Sequence, residues 1–193
     1  MTGNDIVDIA TAAAESNWRR KGFLEKIFTP QEQQYIQETK NPDKTVWTLW
    51  SMKESAYKVY TRQYGGRFFA PQKLNCTLLT NVTGHVSIND TIYSTTTTIT
   101  DGYIYTIAVP LTAAITEVVS HCFHCNQPAL AKLQQLVYKI IISYFSTSSG
   151  KEEKQLSITK NSDGIPFLFY KKEKLSIPVS ITHHGQYAAF TIY

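Results

Sequence analysis

Hydrophobic and polar positions follow two different rhythms along the chain, and the first rhythm is mainly helical. The segment Thr29-Pro30-Gln31-Glu32 has the threonine, proline and glutamate of a capping box, which predicts a helix ending near Thr39. A second helical pattern runs without a breaker from Asp43 to Gly65-Gly66. Ahead of both, Ile6-Val7-Asp8-Ile9 predicts a short buried strand. The first third of the chain is therefore predicted to be rich in helix.

The second rhythm begins after Pro71, where short runs of β-branched and aromatic residues between turns predict strands. A helical pattern with one apolar stripe interrupts them from Pro128 to about Ser146. The strand-rich segments on its two sides are alike, with LNCTLLTNVTG and TITDGYIYTIAV before it and LSITKNSDG and SITHHGQYAAFTIY after it. This weak internal repeat indicates a duplicated unit, with chance likeness of two meanders as the alternative. Only the second copy ends its Thr-Ile-Thr-like strand with histidine.

The composition is that of an ordinary globular protein, with 193 residues of which 42% are hydrophobic and 18% charged. This length suits one large domain or two small ones. No apolar run approaches the ~18 residues that a membrane span needs, and the first residues lack the basic and apolar regions of an export signal. We therefore expect a cytoplasmic protein with no membrane partner.

The cysteines lie at positions that suggest free thiols. Cys76, Cys122 and Cys125 cannot all pair with one another, and nothing in the sequence indicates secretion. His121, Cys122, His124 and Cys125 form a short cluster, but alternate side chains of a strand point to opposite faces, so these four would not close a tetrahedron around a metal. We expect the cluster to be structural or incidental.

The formal net charge of +4 is unevenly distributed. Residues 1–118 hold 11 basic and 11 acidic side chains, whereas residues 119–193 hold 8 and 4. This modest excess lacks the dense Lys/Arg stripe of a duplex-DNA binder, so we expect no nucleic-acid partner. It suits a small phosphorylated ligand or an acidic partner protein, or else a solvated basic face.

Three groups of polar residues carry candidate chemistry: Asp5 near the start, Lys53-Glu54 with Lys58 on the second helix, and Thr182-His183 near the end. Two carboxylates from distant segments can hold Mg²⁺, which completes its octahedron with water and phosphate oxygens. A lysine one helical turn away, and a histidine with a hydroxyl, can contact the same phosphates. From spacing alone, each residue also fits an ordinary role as a turn aspartate, a surface ion pair or a turn histidine.

Five motifs of the chain resemble the successive motifs of the 4'-phosphopantetheinyl transferase superfamily, which includes holo-acyl-carrier-protein synthases. The family motifs are a Gly-x-Asp-Ile/Val strand end, a Phe/Leu-Thr/Ser-x-x-Glu helix start, a Trp-x-x-Lys-Glu-Ser/Ala-x-x-Lys helix, a Gly-Lys-Pro turn and a Ser-Ile-Ser-His strand end. The corresponding segments are Gly3-Asn4-Asp5-Ile6-Val7, Phe28-Thr29-Pro30-Gln31-Glu32, Trp50-Ser51-Met52-Lys53-Glu54-Ser55-Ala56-Tyr57-Lys58, Asp163-Gly164-Ile165-Pro166 and Ser180-Ile181-Thr182-His183-His184-Gly185. They follow a family-like order, and the Lys-Glu helix is the most specific of them.

The resemblance implies an enzyme that transfers the 4'-phosphopantetheine arm of coenzyme A to a serine of an acyl, peptidyl or aryl carrier protein, as in fatty acid or polyketide biosynthesis. The co-product would be adenosine 3',5'-bisphosphate. Carried over by position, Asp5 and Glu54 would be the Mg²⁺ ligands, and Glu54 would help to remove the serine proton. Lys58 would steady the pyrophosphate, and Thr182 with His183 would hold the nucleotide phosphates.

Two departures from the family pattern change the expected site. The Gly164-Ile165-Pro166 turn would lie against the adenine through its backbone, but the family often has lysine at its central position. That phosphate contact is therefore lost, or is made by Lys151, Lys154 or Lys160. Val7 stands where larger members carry a third acidic ligand, so we expect two protein carboxylates and a water in its place.

The order of the motifs bears on the architecture. The Asp-bearing motif comes first, as in the small trimeric family members, yet 110 residues separate Glu54 from Gly164. We therefore predict the α+β fold of this superfamily as a pseudo-dimer of two similar halves, each a small antiparallel sheet packed with helices. Residues 1–118 would carry the metal site and residues 119–193 the nucleotide clamp. We expect a monomer with one site between the halves; the alternative is a small-type subunit with a β insertion that assembles as a trimer.

Two matters stay open in the sequence. A catalytically inactive module that binds coenzyme A or a carrier protein is the alternative function, although such a module has no need of the complete set Asp5, Glu54, Lys58 and His183. The surface that would receive a carrier protein is not evident. The aromatic residues after the Lys-Glu helix, Tyr64, Phe68 and Phe69, fit either docking or core packing.

Overall fold

The computed structural model describes residues 1–125 and 130–193, which form two five-stranded antiparallel sheets and five α-helices. The first sheet contains β1 (Gly3–Asp8), β2 (Asn75–Leu78), β3 (Thr83–Ile88), β4 (Thr91–Ile99) and β5 (Tyr103–Pro110). The second contains β6 (Val119–His124), β7 (Leu156–Lys160), β8 (Pro166–Tyr170), β9 (Glu173–His184) and β10 (Tyr187–Ile192). The helices are α1 (Ile9–Glu15), α2 (Phe23–Ile27), α3 (Pro30–Glu38), α4 (Pro42–Tyr64) and α5 (Leu130–Ser149). None of the described helices is long and apolar enough to cross a membrane.

The two sheets have the same topology. The strand order is β1-β5-β4-β3-β2 in the first and β6-β10-β9-β8-β7 in the second, and in each half the helices come between the first and second strands. The predicted α+β class, with two antiparallel sheets each packed with helices, is confirmed. The predicted boundary between residues 118 and 119 falls directly before β6, and its role as a domain boundary stays a prediction.

The internal repeat of the sequence corresponds to this repeated topology, with a register that differs by two residues. The hairpin β4–β5 closes over Asp101-Gly102 and the hairpin β9–β10 closes over Gly185-Gln186. When the two turns are aligned, Thr98 corresponds to Thr182, whereas the sequence repeat set it against Ser180. Both turns contain two residues, so aligning the turns fixes which residues of the two hairpins correspond.

The capping box fixes the start of α3. Thr29 Oγ1 accepts a hydrogen bond from the Glu32 N–H at 3.4 Å, and Glu32 Oε2 accepts one from the Thr29 N–H at 2.8 Å. Pro30 occupies the first turn, where a backbone N–H has no acceptor within the helix, so the missing N–H of proline costs no hydrogen bond. The predicted helix from Pro30 to Thr39 is confirmed to within one residue.

The ends of α4 are set by a cap and a glycine. Asn41 Oδ1 accepts from the Lys44 N–H at 3.1 Å, and the helix stops where Gly65 adopts a φ of 73°. This confirms the predicted helix that runs to the glycine pair. Helix α5 extends three residues beyond the predicted end at Ser146. Its predicted start at Pro128 lies outside the described residues.

Strand β1 is buried between the two halves. The apolar face of α4 packs on the first sheet and that of α5 packs on the second. A smaller cluster around Ile6, Tyr105 and Ala189 joins the sheets. Burial by elements from both halves makes β1 the strand on which the two halves meet.

The outer edge of β1 is covered by side chains of β9 rather than by another strand. Three N–H groups of β1 donate to three alternate side chains of β9, at 3.2, 3.3 and 3.0 Å. The pairs are Asn4 with Ser180 Oγ, Ile6 with Thr182 Oγ1, and Asp8 with His184 Nδ1. We call these three contacts the side-chain ladder. They satisfy an edge that would otherwise be open to pairing with another chain.

The cysteine and histidine residues of β6 point in different directions. The ring of His121 stacks on Phe190 with centroids 5.1 Å apart, whereas Cys122 packs into the cluster between the sheets. All three cysteines are free thiols. Within the described residues, no group of three or more His, Cys, Asp and Glu side chains is arranged to hold a metal.

Candidate active site

Asp5 lies on the face of β1 that α4 covers, and the two elements approach each other closely. A Cβ at Gly3 would lie 2.2 Å from the carbonyl oxygen of Ser55, so glycine is required there. Ser51 Oγ donates to the carbonyl of Asp5 at 3.2 Å. These contacts hold Asp5 against the middle of α4.

The Asp5 carboxylate is only partly satisfied. Its side chain is 13% exposed, and Oδ1 accepts from Thr182 Oγ1 at 3.2 Å and lies 3.7 Å from Lys58 Nζ. Oδ2 is buried and has no hydrogen-bond partner among residues 1–125 and 130–193. A buried carboxylate oxygen without a partner is unfavourable, and a cation bound there would satisfy it.

Glu54 lies close enough to Asp5 for the two carboxylates to affect each other. Burial, together with the charge of Asp5 and against the opposing charge of Lys58, raises the pKa of Glu54 to about 7. Burial also raises the pKa of Asp5, against the effects of Lys58 and Thr182. Two neighbouring carboxylates that resist ionisation together are a suitable oxygen-donor pair for a hard divalent cation.

Lys58 lies one turn beyond Glu54 on α4 and contacts both halves. Its Nζ donates to the carbonyl of Asn4 at 2.6 Å and to that of Ile181 at 3.4 Å. A lysine held by two carbonyls keeps its charge at a fixed place beside Asp5. The structure thus brings Asp5, Glu54 and Lys58 together, as the resemblance implies.

A cleft of about 350 Å³ opens beside Glu54 and Lys58, between α4 and the second sheet. We call it the cationic cleft, because four basic side chains line it against two acidic ones. The basic residues are Lys58, Arg62, Arg67 and Lys160, and the acidic residues are Glu54 and Asp163. Such an excess of positive charge in a concave site favours a polyanionic ligand.

Arg62 is a partly buried cation of this cleft. Its Nη2 donates to the carbonyls of Pro166 at 3.1 Å and Val179 at 2.5 Å, and burial lowers its pKa to about 10. Among the described residues, no carboxylate lies within 4.0 Å of it. A desolvated guanidinium without an ion-pair partner is the group that an incoming anion would neutralise.

The Gly164-Ile165-Pro166 turn forms the opposite wall. Asn161 Oδ1 accepts from the N–H groups of Asp163 at 3.1 Å and Ile165 at 2.9 Å, and Gly164 has a φ of 77°. The nearest atom to a Cβ built at Gly164 is Arg67 Nη1, at 4.0 Å. The backbone conformation, not lack of space, therefore favours glycine here.

Thr182 and His183 occupy different environments. Thr182 is 6% exposed and its hydroxyl contacts Asp5, whereas His183 is exposed. His183 lines a separate cavity of about 320 Å³ with Asp5 and Trp50, and a smaller one of about 160 Å³ with Lys160. Neither residue lines the cationic cleft. Their assignment to the nucleotide phosphates stays a prediction.

Lys53, the first residue of the Lys-Glu pair, faces away from this site. Its Nζ lies 2.8 Å from Glu32 Oε2 and donates to the carbonyls of Pro71 at 2.9 Å and Leu74 at 2.5 Å. Both partners of the ion pair are almost fully buried. Two of the sequence motifs thus meet in a buried ion pair that holds α4 against α3.

The model of the 4'-phosphopantetheinyl transferase superfamily matches residues 1–108, more than half of the chain. The chain belongs to this superfamily. The matched part contains Asp5, Glu54 and Lys58, and it ends before β6. No curated protein matches the chain.

Solved structures of the superfamily show only a distant likeness. An apo-ACPS structure from Chronobacterium ammoiniagenes matches with 15% identity and a TM-score of 0.47, over 56% of this chain and 93% of that one. The Helicobacter pylori holo-[acyl-carrier-protein] synthase in complex with coenzyme A matches with 16% identity and a TM-score of 0.46, over 57% and 99%. The Thermotoga maritima enzyme matches with 10% identity and a TM-score of 0.45, over 90% and 83%. At such TM-scores the superfamily assignment rests on the matched residues 1–108.

The structure adds two basic residues that the transferase motifs do not predict. Arg62 follows Lys58 by four residues, so the helical spacing of Glu54, Lys58 and Arg62 already contained a signal. Arg67 lies in the segment after α4, where no sequence pattern indicates its direction. Of the three lysines considered for the missing turn lysine, Lys160 lines the cationic cleft, whereas Lys151 stacks on Tyr170.

Proposed function

We propose that this superfamily member transfers the 4'-phosphopantetheine arm of coenzyme A to a serine of an acyl, peptidyl or aryl carrier protein. The observation that carries the proposal is the buried carboxylate pair, Asp5 and Glu54, beside a cleft lined by four cations. A phosphoryl transfer from a polyanionic donor needs both parts.

The cationic cleft suits the nucleotide end of coenzyme A, with its pyrophosphate and 3'-phosphate. Lys58 lies beside the carboxylates and would contact the pyrophosphate. Arg62, which forms no ion pair within the described residues, would bind a phosphate. The backbone of the Gly164-Ile165-Pro166 turn would lie against the adenine. We assign the contact of the missing turn lysine to Lys160, because it lines the same cleft.

Asp5 and Glu54 would hold Mg²⁺, and the residues present fit that ion. The support is threefold: Asp5 Oδ2 has no hydrogen-bond partner among the described residues, the charge of Asp5 acts on Glu54, and both side chains offer hard oxygen donors. When bound, Mg²⁺ supplies positive charge that neutralises and orients the pyrophosphate. Val7 offers no third acidic ligand.

The reaction then follows from the chain's own groups. The serine Oγ attacks the phosphorus that bears the pantetheine arm, forming a P–O bond as the bond to the bisphosphate oxygen breaks. Glu54 accepts the serine proton, and Lys58 stabilises the charge that grows on the departing adenosine 3',5'-bisphosphate. Positioning and charge neutralisation supply most of the rate enhancement in this class of reaction.

We also propose that the protein acts as a cytoplasmic monomer with one site between its halves. The support is that Lys58 bonds to a carbonyl of each half and that the side-chain ladder covers the edge of β1. Sedimentation velocity with activity measured across a dilution series tests this. Constant specific activity of a monomer is expected, and activity confined to a trimer would contradict it.

The test of function compares the wild type with Glu54→Gln. Each protein is incubated with an apo carrier protein, coenzyme A and Mg²⁺, and the mass of the carrier is measured by intact-protein mass spectrometry. We expect a gain of one phosphopantetheine group with the wild type and none with Glu54→Gln, although calorimetry still detects coenzyme A binding by the variant. A wild type that binds coenzyme A but modifies none of several carriers would instead indicate an inactive binding module.

A further inference from the structure

The side chain of Thr182 has its hydrogen bonds committed within the protein. It is 6% exposed, its Oγ1 accepts from the Ile6 N–H at 3.3 Å, and it donates to Asp5 Oδ1 at 3.2 Å. A hydroxyl has one proton to donate, and here that proton is directed at the carboxylate. No proton is left to donate to a phosphate oxygen.

The same ladder fixes the backbone on both sides of Asp5. Ser180 Oγ accepts from the Asn4 N–H before it, and Thr182 accepts from the Ile6 N–H after it. Lys58 adds a bond to the Asn4 carbonyl. The peptide units that flank Asp5 are therefore held by residues of the second sheet and α4 together.

We infer that Thr182 is a positioning residue for Asp5, rather than a contact to the nucleotide phosphates. This inference rests on the proposed function, in which Asp5 is a metal ligand. Thr182 selects the orientation in which Oδ1 is bonded and Oδ2 has no hydrogen-bond partner among the described residues. The second half thus completes the metal site of the first, and the site is incomplete in residues 1–118 alone.

The test uses Thr182→Val, which keeps the shape of the side chain and removes the hydroxyl, and Thr182→Ser, which restores it. The matched control is Thr191→Val. Thr191 is another buried threonine, and it bonds Thr2 across the two halves at 3.2 Å without a hydrogen bond to Asp5. Mn²⁺ binding is measured by electron paramagnetic resonance with and without coenzyme A, and metal-free coenzyme A binding is measured by calorimetry.

We expect Thr182→Val to weaken Mn²⁺ binding about tenfold, in line with the 10–100-fold effect of removing a group that orients a metal ligand. Metal-free coenzyme A affinity should stay within about twofold, and Thr182→Ser and Thr191→Val should bind Mn²⁺ like the wild type. The result that overturns the inference is weakened coenzyme A binding with unchanged Mn²⁺ binding, which would make Thr182 a phosphate contact. Equal losses in Thr182→Val and Thr191→Val would also overturn it, since they would indicate a general loosening of the junction.

The proposed function can fail separately. A wild type that binds Mn²⁺ in the predicted way but transfers nothing to a carrier contradicts the transfer only. A wild type that binds no Mn²⁺ under either condition contradicts the metal role of Asp5, and the positioning role of Thr182 with it.

Discussion

Replacement of Arg62 by methionine separates the binding role of this residue from its structural role. Burial lowers the pKa of Arg62 to about 10, which corresponds to about 3 kcal/mol against the charged side chain. Its hydrogen bonds to the carbonyls of Pro166 and Val179 contribute about 1.5–3 kcal/mol each. The two bonds together contribute about 3–6 kcal/mol and burial offsets about 3 kcal/mol of this, so Arg62→Met should reduce the free energy of unfolding by no more than about 3 kcal/mol.

Arg62→Met should also weaken the binding of coenzyme A. A charge-assisted bond to a phosphate contributes about 1.5–3 kcal/mol, so the dissociation constant for coenzyme A should rise about tenfold to a hundredfold. Calorimetry measures the affinity and urea denaturation the stability. The control is Lys151→Met, which removes a positive charge outside the cleft, where the Lys151 side chain lies over the ring of Tyr170. Equal coenzyme A affinity in Arg62→Met and the wild type would refute an anion-binding role for Arg62.

Three further predictions concern the carboxylates, the lysines and the buried ion pair. Between about pH 4.5 and 7 the folded protein keeps a proton on Glu54 that the unfolded chain releases, so the metal-free protein should lose about 2–3 kcal/mol of stability as the pH rises through this range. Urea denaturation should show a weaker dependence of stability on pH for Glu54→Gln than for the wild type. An equal dependence in both would contradict the assignment. Lys160→Met should reduce the preference for coenzyme A over its 3'-dephospho form in steady-state kinetics. The control Lys154→Met, at an exposed residue outside the cleft, should leave this preference unchanged. Equal effects of the two variants would argue against a specific contact between Lys160 and the 3'-phosphate. Glu32→Gln leaves Lys53 buried without its carboxylate partner and should lower the free energy of unfolding, measured by urea denaturation, by about 3–5 kcal/mol. Arg19→Ala, which breaks an exposed ion pair, should lower it by less than about 1 kcal/mol. Similar losses in the two variants would contradict the effect expected from burial.

The local signals of the sequence predicted α3 and α4 well. The capping box at Thr29 and the glycine at position 65 act within a few residues, so their effect on α3 and α4 can be recognised from the letters alone. The internal repeat indicated two copies of one unit, but its register was two residues off. Strand pairing is a contact between distant segments, and only the hairpin closures fix which residues correspond.

The candidate site was predicted less evenly. Asp5, Glu54 and Lys58 were located by resemblance, since spacing alone left each of them an ordinary role. Arg67 could not be predicted because its direction depends on the path of the chain after α4. Thr182 shows the same limit, because a motif gives the residue type while the side chain's hydrogen bonds depend on β1, which lies far away in the sequence.

We propose that this chain moves the phosphopantetheine arm from coenzyme A to a carrier serine at the site formed by Asp5 and Glu54. The most direct measurement follows the intact mass of an apo carrier protein and the release of adenosine 3',5'-bisphosphate in the same reaction. We predict that the two products appear in equal amounts with the wild type and that neither appears with Asp5→Asn. Bisphosphate release without a gain in carrier mass, or full transfer by Asp5→Asn, would contradict the account.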